Sequence, residues 1–368
     1  MISVYKPKLY TEEVLEELRP VLDSGWVGLG PKVKEFETAL QEHIGGNTLF
    51  SALNSCTSAL HIAIRMLDLP KGSKVLTTPI TFVSTNHVLL YEGLEPVFCD
   101  VEPLTGNMDV NCALDAIEKY DIKAILLVHN GGYPADIDGF NAIKQKTGIP
   151  IVEDCAHAFG STYNGKKIGQ SNNICAWSFQ AVKNLCVGDG GALSTNNPEY
   201  LKRINTLRWL GIDRDTITRS SGGYNWKYDV VEIGYKYHMC DIIATVGLVQ
   251  LRHIEEDNAR RKEIAEFYYN NLKNITLPDY NKDRQSAYWF APIFVENQKE
   301  VYQKLVENDI YPSVHFVKNN GYRMYKDFIQ INDCKNAEWY QEHVLSLPIH
   351  LYLQNEDLQK IVDTINNI

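Results

Sequence analysis

No two of the eight cysteines stand in a C-x-x-C pair; they are scattered from Cys56 to Cys334. That spacing argues against a zinc site or a disulfide framework and fits a reducing, cytoplasmic compartment. No apolar run is long enough to span a bilayer. The opening stretch MISVYKPKLYTEEVLEEL has no apolar signal core, so export is not expected. Basic residues are the minority: 36 Lys and Arg stand against 46 Asp and Glu, a net charge of −10. Nucleic acid and anionic membrane are therefore not expected as main partners, although a local basic pocket remains compatible. Low-complexity tracts and internal repeats are missing as well. No G-x-G-x-x-G turn follows an early strand, which speaks against a dinucleotide-dependent dehydrogenase or epimerase.

What is present is an ordinary globular composition, 44% hydrophobic and 22% charged, over 368 residues. That length allows two domains, or one large domain with an appendage. Val14, Leu15, Leu18, Val21 and Leu22 share one helical face that ends at Ser24-Gly25. After GWVGLGP, a second helix carries Val33, Phe36 and Leu40 and stops at Gly45-Gly46. NSCTSALHIAIRML then reads as a polar cap followed by a buried helix. Short β-rich runs follow at 74–80, 95–101, 123–129, 149–156, 174–179 and 190–195, most of them separated by helix-length segments such as 83–92, 110–120 and 138–147. Near-continuous apolar strands alternating with helices indicate an α/β fold with a mainly parallel sheet covered on both faces. From about 241 the character changes: the stretch 241–272 reads as one long helix or two. Shorter strands in SAYWFAPIFV and YPSVHFV and a closing helix capped by Asn355 come after it. The expected division is a large domain at 1–250 and a smaller α+β domain at 251–368.

The stretch SFQAVKNLCVGDGG, 178–191, places Lys183 just after the fifth run, in a loop with three glycines. Such a lysine either snorkels along the core or is held by a backbone-rich pocket because its amine does chemistry. Ligands in open parallel sheets bind beyond the carboxyl ends of the strands. Asp154 and His157 follow one such run, Ser178 ends another, and Thr81-Phe82 follow a third. Alone, Asp154 reads equally well as a helix cap or loop acid, and His157 as a hydrogen-bonded structural histidine. A metal site of His129, Asp154 and His157 is the minor alternative. The NSCTS segment opens a helix; its hydroxyls are suited to capping, and the helix N-terminus is suited to an anion. Pyridoxal 5′-phosphate needs a lysine for its aldehyde, a carboxylate for its ring nitrogen, a flat side chain on its face and a phosphate cup. Lys183, Asp154, Phe82 and the hydroxyls of Ser55, Thr57 and Ser178 supply all four.

The segments LDSGWVGLGPKVKEFETAL, TTPITFVSTNHVLLYEGLEPVFCDV, VHNGGYPADID, IVEDCAHAFGSTYNGKKIG, SFQAVKNLCVGDGGALSTNN, EIGYKYHMCDIIATVGLVQL and VLSLPIH run in order through nearly the whole chain. Together they resemble the DegT/DnrJ/EryC1/StrS family of sugar aminotransferases, a branch of the fold type I pyridoxal-phosphate enzymes with a seven-stranded-type sheet. The resemblance implies that Lys183 bonds the cofactor, Asp154 meets the pyridine nitrogen, Phe82 stacks on the ring and His157 lies near the ring hydroxyl. It also implies a phosphate cup of Thr57, Ser58 and Ser178, with Ser55, Cys56 and Gln180 beside it. GYKYHM, carrying Lys236, would enter the active site of a neighbouring subunit, which implies a homodimer with shared sites. Many relatives have His, Glu and Asn where this chain has Gln180, Asp189 and Lys236, so the role of Lys236 departs from the pattern. Retention of the lysine, which dehydratase relatives replace with histidine, points to transamination.

The same resemblance implies a nucleotide-linked sugar as acceptor and an amino acid, glutamate, as donor. The pattern SFQAVKN…GDGG is closer to members that aminate a 4-keto-6-deoxyhexose than to those acting at C3. A 3-keto acceptor, or a cofactor-binding regulator without turnover, are the alternatives. Trp26, Gly28 and Lys32 in GWVGLGPK are expected to take the diphosphate side of the substrate. His315 either reaches the sugar or diphosphate or is a strand histidine with no part in catalysis.

Overall fold

The computed structural model describes residues 1–213 and 228–368. Strand β1 (Ile2–Ser3) precedes helix α1 (Thr11–Ser24), which ends on Gly25 in the left-handed region at φ 70°. Helix α2 (Pro31–Ile44) starts on proline and buries Val33, Phe36, Leu40 and Ile44, positions that share one helical face. Then come β2 (Leu49–Leu53), α3 (Cys56–Arg65), β3 (Lys74–Thr77), α4 (Val83–Tyr91), β4 (Glu95–Phe98) and α5 (Val110–Lys119). β5 (Ile122–Val128), α6 (Ile137–Thr147) and β6 (Ile151–Asp154) follow. A short hairpin of β7 (Thr162–Tyr163) and β8 (Lys166–Lys167) leads to β9 (Ile174–Ser178), β10 (Gly191–Thr195) and α7 (Pro198–Leu207).

Seven strands form one sheet in the order β2-β10-β9-β6-β5-β3-β4. β10 runs antiparallel to both neighbours, and the remaining pairs are parallel. Along β5, Ala124 and Leu126 pack with residues of α3 and α4, while Ile125 and Leu127 pack with residues of α5 and α6. From Ala124 to Val128 the strand is apolar without a break because both faces of the sheet are covered there, while Lys123 near its start is exposed. This is the expected α/β architecture. β2 lies outside the expected strands: with both faces buried it shows no alternation, and the helix cap at Ser55 follows it almost at once.

In the rest of the chain, α8 (Asp241–Arg252) and α9 (Ile254–Asn271) resolve the long apolar stretch into two helices broken at His253. β11 (Arg284–Gln285), β12 (Ala291–Phe294), α10 (Gln298–Glu307), β13 (Ile310–Tyr311), α11 (Lys335–His343), β14 (Val344–Leu347) and α12 (Asn355–Asn366) complete the chain. A second core gathers Ile264, Tyr268, Ile293, Leu305, Leu345 and Ile361. β1 pairs in parallel with β13, so the first strand of the chain joins this second core. Two local expectations are corrected. Gln354, not Asn355, stands at the cap of α12, where its backbone N donates to Asp357 Oδ2 at 3.0 Å. The stretch YPSVHFV is strand only at its start, since β13 ends at Tyr311 and His315 lies in irregular backbone. Among the described residues no helix is long and apolar enough to cross a membrane.

Candidate active site

A cavity of about 590 Å³ opens at the carboxyl ends of the parallel strands, where the sheet meets the second core. Asp154 closes β6, and Ser178 closes β9. The next residues form a tight loop rather than another helix. Phe179 N donates to Gly190 O at 2.8 Å, and Val187 N donates to Phe179 O at 2.8 Å, so the loop folds back on its own base. Leu185, Cys186 and Val187 fill the core beneath it. The glycines answer a steric demand. A Cβ on Gly191 would lie 2.4 Å from the carbonyl carbon of Ser55 and 2.6 Å from Cys56 N, so only glycine lets β10 pass the first turn of α3.

Lys183 stands on this loop and lines the cavity. Its Nζ lies 3.9 Å from the centre of the Trp289 indole, face on. Trp289 Nε1 donates to Val182 O at 3.0 Å, and Asn184 Nδ2 donates to Ala287 O at 2.7 Å, so the loop is also pinned from the opposite wall. Burial lowers the Lys183 pKa to about 8, against the pull of the Cys56 thiol and the Asp154 carboxylate. A protonated lysine is costly where water is excluded. The amine thus loses its proton far more readily than an exposed lysine, which suits a nucleophile and base rather than a snorkelling side chain.

Asp154 is buried. Its Oδ2 accepts from the Thr85 hydroxyl at 2.8 Å and its Oδ1 from Ala156 N at 3.1 Å. An ionised carboxylate offers about four acceptor positions, so capacity remains for a donor in the cavity. His157 is buried and stacks on Trp289, with centroids 3.8 Å apart and planes 3° from parallel. Burial, then the Lys183 charge, holds its imidazole well below the ordinary pKa and therefore neutral. Its Nδ1 has no hydrogen-bond partner among the described residues. Phe82 stands just before α4 and is 58% exposed, which leaves a flat side chain accessible at the cavity wall. Ser55, Cys56, Thr57 and Gln180 line the same cavity.

Other expected residues lie elsewhere. The Ser58 hydroxyl is spent within the helix cap, its one hydrogen lying between two acceptors, Asn54 Oδ1 at 2.8 Å and Ser55 O at 2.7 Å, while Ser55 Oγ accepts from Ser58 N. Trp26, Gly28 and Lys32 are outside the cavity of their own chain. Trp26 Nε1 donates to Leu29 O at 3.1 Å, and Lys32 Nζ pairs with Glu35 at 2.9 Å. The Asp241 carboxylate holds this loop by accepting from Gly30 N, Lys32 N and Val33 N at 2.9, 3.2 and 3.0 Å. Lys236 is exposed, with its Nζ 3.7 Å from the centre of the Trp209 ring. Its backbone runs beside the first turn of α3, since Asn54 N donates to Tyr237 O at 2.7 Å. His315 lines the cavity, bonds Ser346 Oγ through Nδ1 at 2.9 Å, and is driven by burial to a pKa of about 3. The metal alternative fails on geometry. His129 Nε2 bonds Glu153 at 3.1 Å, while Ala135 N donates to its Nδ1 at 3.1 Å, so both ring nitrogens are used away from Asp154 and His157. Tyr5, Thr85, Trp289 and Phe316 line the cavity without having been singled out from the sequence. The run AYWF before β12 and the second threonine in TFVST were the available signals.

The pattern of one family matches residues 8–366, from the start of the first helix to the end of the last, under the description DegT/DnrJ/EryC1/StrS aminotransferase family. The chain belongs to that family. Among its relatives is SpsC of Bacillus subtilis, a spore coat polysaccharide biosynthesis protein, 33% identical over 99% of this chain and 96% of its own. A sugar aminotransferase of Micromonospora echinospora is 30% identical, with a TM-score of 0.89 covering 100% of both chains. Spr1654 of Streptococcus pneumoniae, solved in PLP and PMP forms, is 28% identical; its PMP form gives a TM-score of 0.92 over 100% of this chain and 98% of that one. This protein is a sugar aminotransferase, and DegT/DnrJ/EryC1/StrS aminotransferases use pyridoxal 5′-phosphate. The residues present fit that group. The cavity offers an amine of lowered pKa, a buried carboxylate with spare acceptor capacity, an imidazole nitrogen without a partner among the described residues and an exposed aromatic face, next to the hydroxyl-rich start of a helix.

Proposed function

We propose that this aminotransferase moves the amino group of glutamate to C4 of a nucleotide-linked 4-keto-6-deoxyhexose, giving a 4-amino-4,6-dideoxy sugar nucleotide. The observation that carries the reading is the desolvated Lys183 amine facing the same cavity as Asp154. When bound, pyridoxal phosphate supplies an electron sink for charge developing at the donor α-carbon. Asp154 would hold a proton on the ring nitrogen, Phe82 would cover one ring face and His157 would stand at the ring hydroxyl. Ser55, Cys56, Thr57, Ser178 and Gln180 would gather round the phosphate at the start of α3. Lys183 Nζ would be the base that takes the donor α-proton, a role that needs a pKa near the working pH. His315 and the aromatic wall of Tyr5, Trp289 and Phe316 leave the acceptor side of the cavity to a sugar ring.

We also propose a homodimer in which GYKYHM of one protomer completes the site of the other. Lys236 is exposed and does not line its own cavity, while Val230, Val231 and Ile233 beside it leave more than half their surface open. The same arrangement would present Trp26, Gly28 and Lys32 to the nucleotide. The chain would divide near residue 250.

Regiochemistry rests on the loop SFQAVKN…GDGG. A second reading, amination at C3, is favoured by Gln180 and Asp189, which depart from the 4-amino pattern and both line the cavity. The test supplies dTDP-, UDP- and GDP-linked 4-keto-6-deoxyhexoses and a 3-keto isomer with glutamate, and locates the new C–N bond by NMR. A C4 product supports the reading; amination at C3 alone overturns it.

A further inference from the structure

The strand-end carboxylate is not held by its own strand alone. Thr85, one turn into α4, donates its hydroxyl hydrogen to Asp154 Oδ2 at 2.8 Å. With that hydrogen committed, its lone pair accepts from the Thr81 hydroxyl, also at 2.8 Å. Thr81 is anchored in turn, because its carbonyl accepts from Asn319 Nδ2 at 2.6 Å. Asn319 is fixed by two further bonds to the Pro79 carbonyl, from its backbone N at 2.8 Å and its side chain at 3.1 Å. Thr81, Thr85, Asp154 and Asn319 are all buried, with 0 to 3% of each exposed. Water is thus kept from competing, and the donor direction along the relay has one consistent assignment.

We propose that Thr85 is a positioning residue for the cofactor's ring nitrogen: it orients Asp154 and holds it as a carboxylate, with Thr81 and Asn319 holding Thr85. A carboxyl group that took up a proton could no longer keep one on the ring nitrogen. Burial pushes Asp154 in that direction, and the Thr85 hydroxyl is the strongest contact opposing it. A hydroxyl donor to a buried carboxylate is a charge-assisted bond, stronger than a neutral one. The relay also ties the site to the second part of the chain, since Asn319 follows β13.

The inference rests on pyridoxal phosphate binding in this cavity, and the test separates the two. Cofactor-free wild type, Thr85→Ser and Thr85→Val are loaded with pyridoxal phosphate. Dissociation constants are measured by equilibrium dialysis, and ring protonation by NMR of the isotope-labelled ring nitrogen. Wild type and Thr85→Ser should bind equally and show a protonated nitrogen. Thr85→Val, which keeps the shape and loses the donor, should bind roughly tenfold more weakly and move the nitrogen signal toward the unprotonated position. An unchanged signal in Thr85→Val overturns the proposal, as does an equal loss in the serine and valine variants, which marks Thr85 as packing only. Should Thr85→Val fail to fold, Thr81→Val carries the test: a smaller shift in the same direction is expected, and none overturns it. Absence of binding by wild type would instead strike at the cofactor reading itself.

Discussion

Lys183 shows how surroundings change the proton affinity of an ordinary side chain. Its ammonium form is disfavoured by burial, and the lowered pKa of about 8 compares with an ordinary value near 10.5. That burial has a cost when no cofactor is bound. Below pH 8 the folded state must carry the buried charge; between about 8 and 10 the unfolded chain holds more protons than the folded one, so stability rises with pH. Lys183→Met should therefore make the cofactor-free protein more stable at pH 7, by up to about 3 kcal/mol, with the gap closing by about pH 10.5. Urea denaturation at both pH values measures this, and a cofactor-free variant no more stable than wild type at pH 7 would contradict it. Asp154 makes the complementary prediction. Asp154→Asn keeps the shape but cannot hold a ring proton, so turnover should fall by about 10- to 100-fold while the melting temperature stays close to that of wild type. Steady-state kinetics beside a thermal melt decides the matter; near-normal turnover would mean that another acid meets the ring nitrogen.

At the scale of elements, the site is a meeting of ends: β6 and β9 finish in it, α3 and α4 begin in it, and the lysine loop crosses between β9 and β10. One crossing is tight: a Cβ on Gly191 would lie 2.4 Å from the Ser55 carbonyl carbon. Gly191→Ala would push the first turn of α3 away from β10, an overpacking change of about 1–3 kcal/mol. Since that turn is where the phosphate would sit, the expected result is weaker pyridoxal phosphate binding together with a lower melting temperature. A variant that lost stability yet bound the cofactor as tightly as wild type would show that the helix start is not the phosphate cup.

For the whole molecule, the cavity takes its floor from the seven-stranded sheet and its facing wall from residues after 280. Lys236 stays outside this arrangement within one chain, and the proposed dimer gives it a place. Mixing Lys183→Ala with Lys236→Ala subunits under exchange conditions should restore activity that neither homodimer has, because hybrid dimers contain one site with both lysines intact. Failure of every mixture to recover turnover would remove Lys236 from the neighbour's site.

The sequence by itself determined the alternation of helices with apolar strands and the family, and it singled out Lys183, Asp154 and Phe82, which line one cavity, because each lives in local pattern or in an ordered string of motifs. β2 escaped that reading, since a short strand buried on both faces has no period to detect. Tertiary structure alone decided which hydroxyls face the cavity. Ser58 and Ser55 look alike in NSCTS and share one helix cap, yet Ser55 lines the cavity and Ser58 does not. It also decided that Trp289 and Thr85 belong to the site, although one lies more than a hundred residues from Lys183 and the other nearly seventy from Asp154. Contacts of that range depend on how the sheet and the second core are brought together, and no local propensity records them.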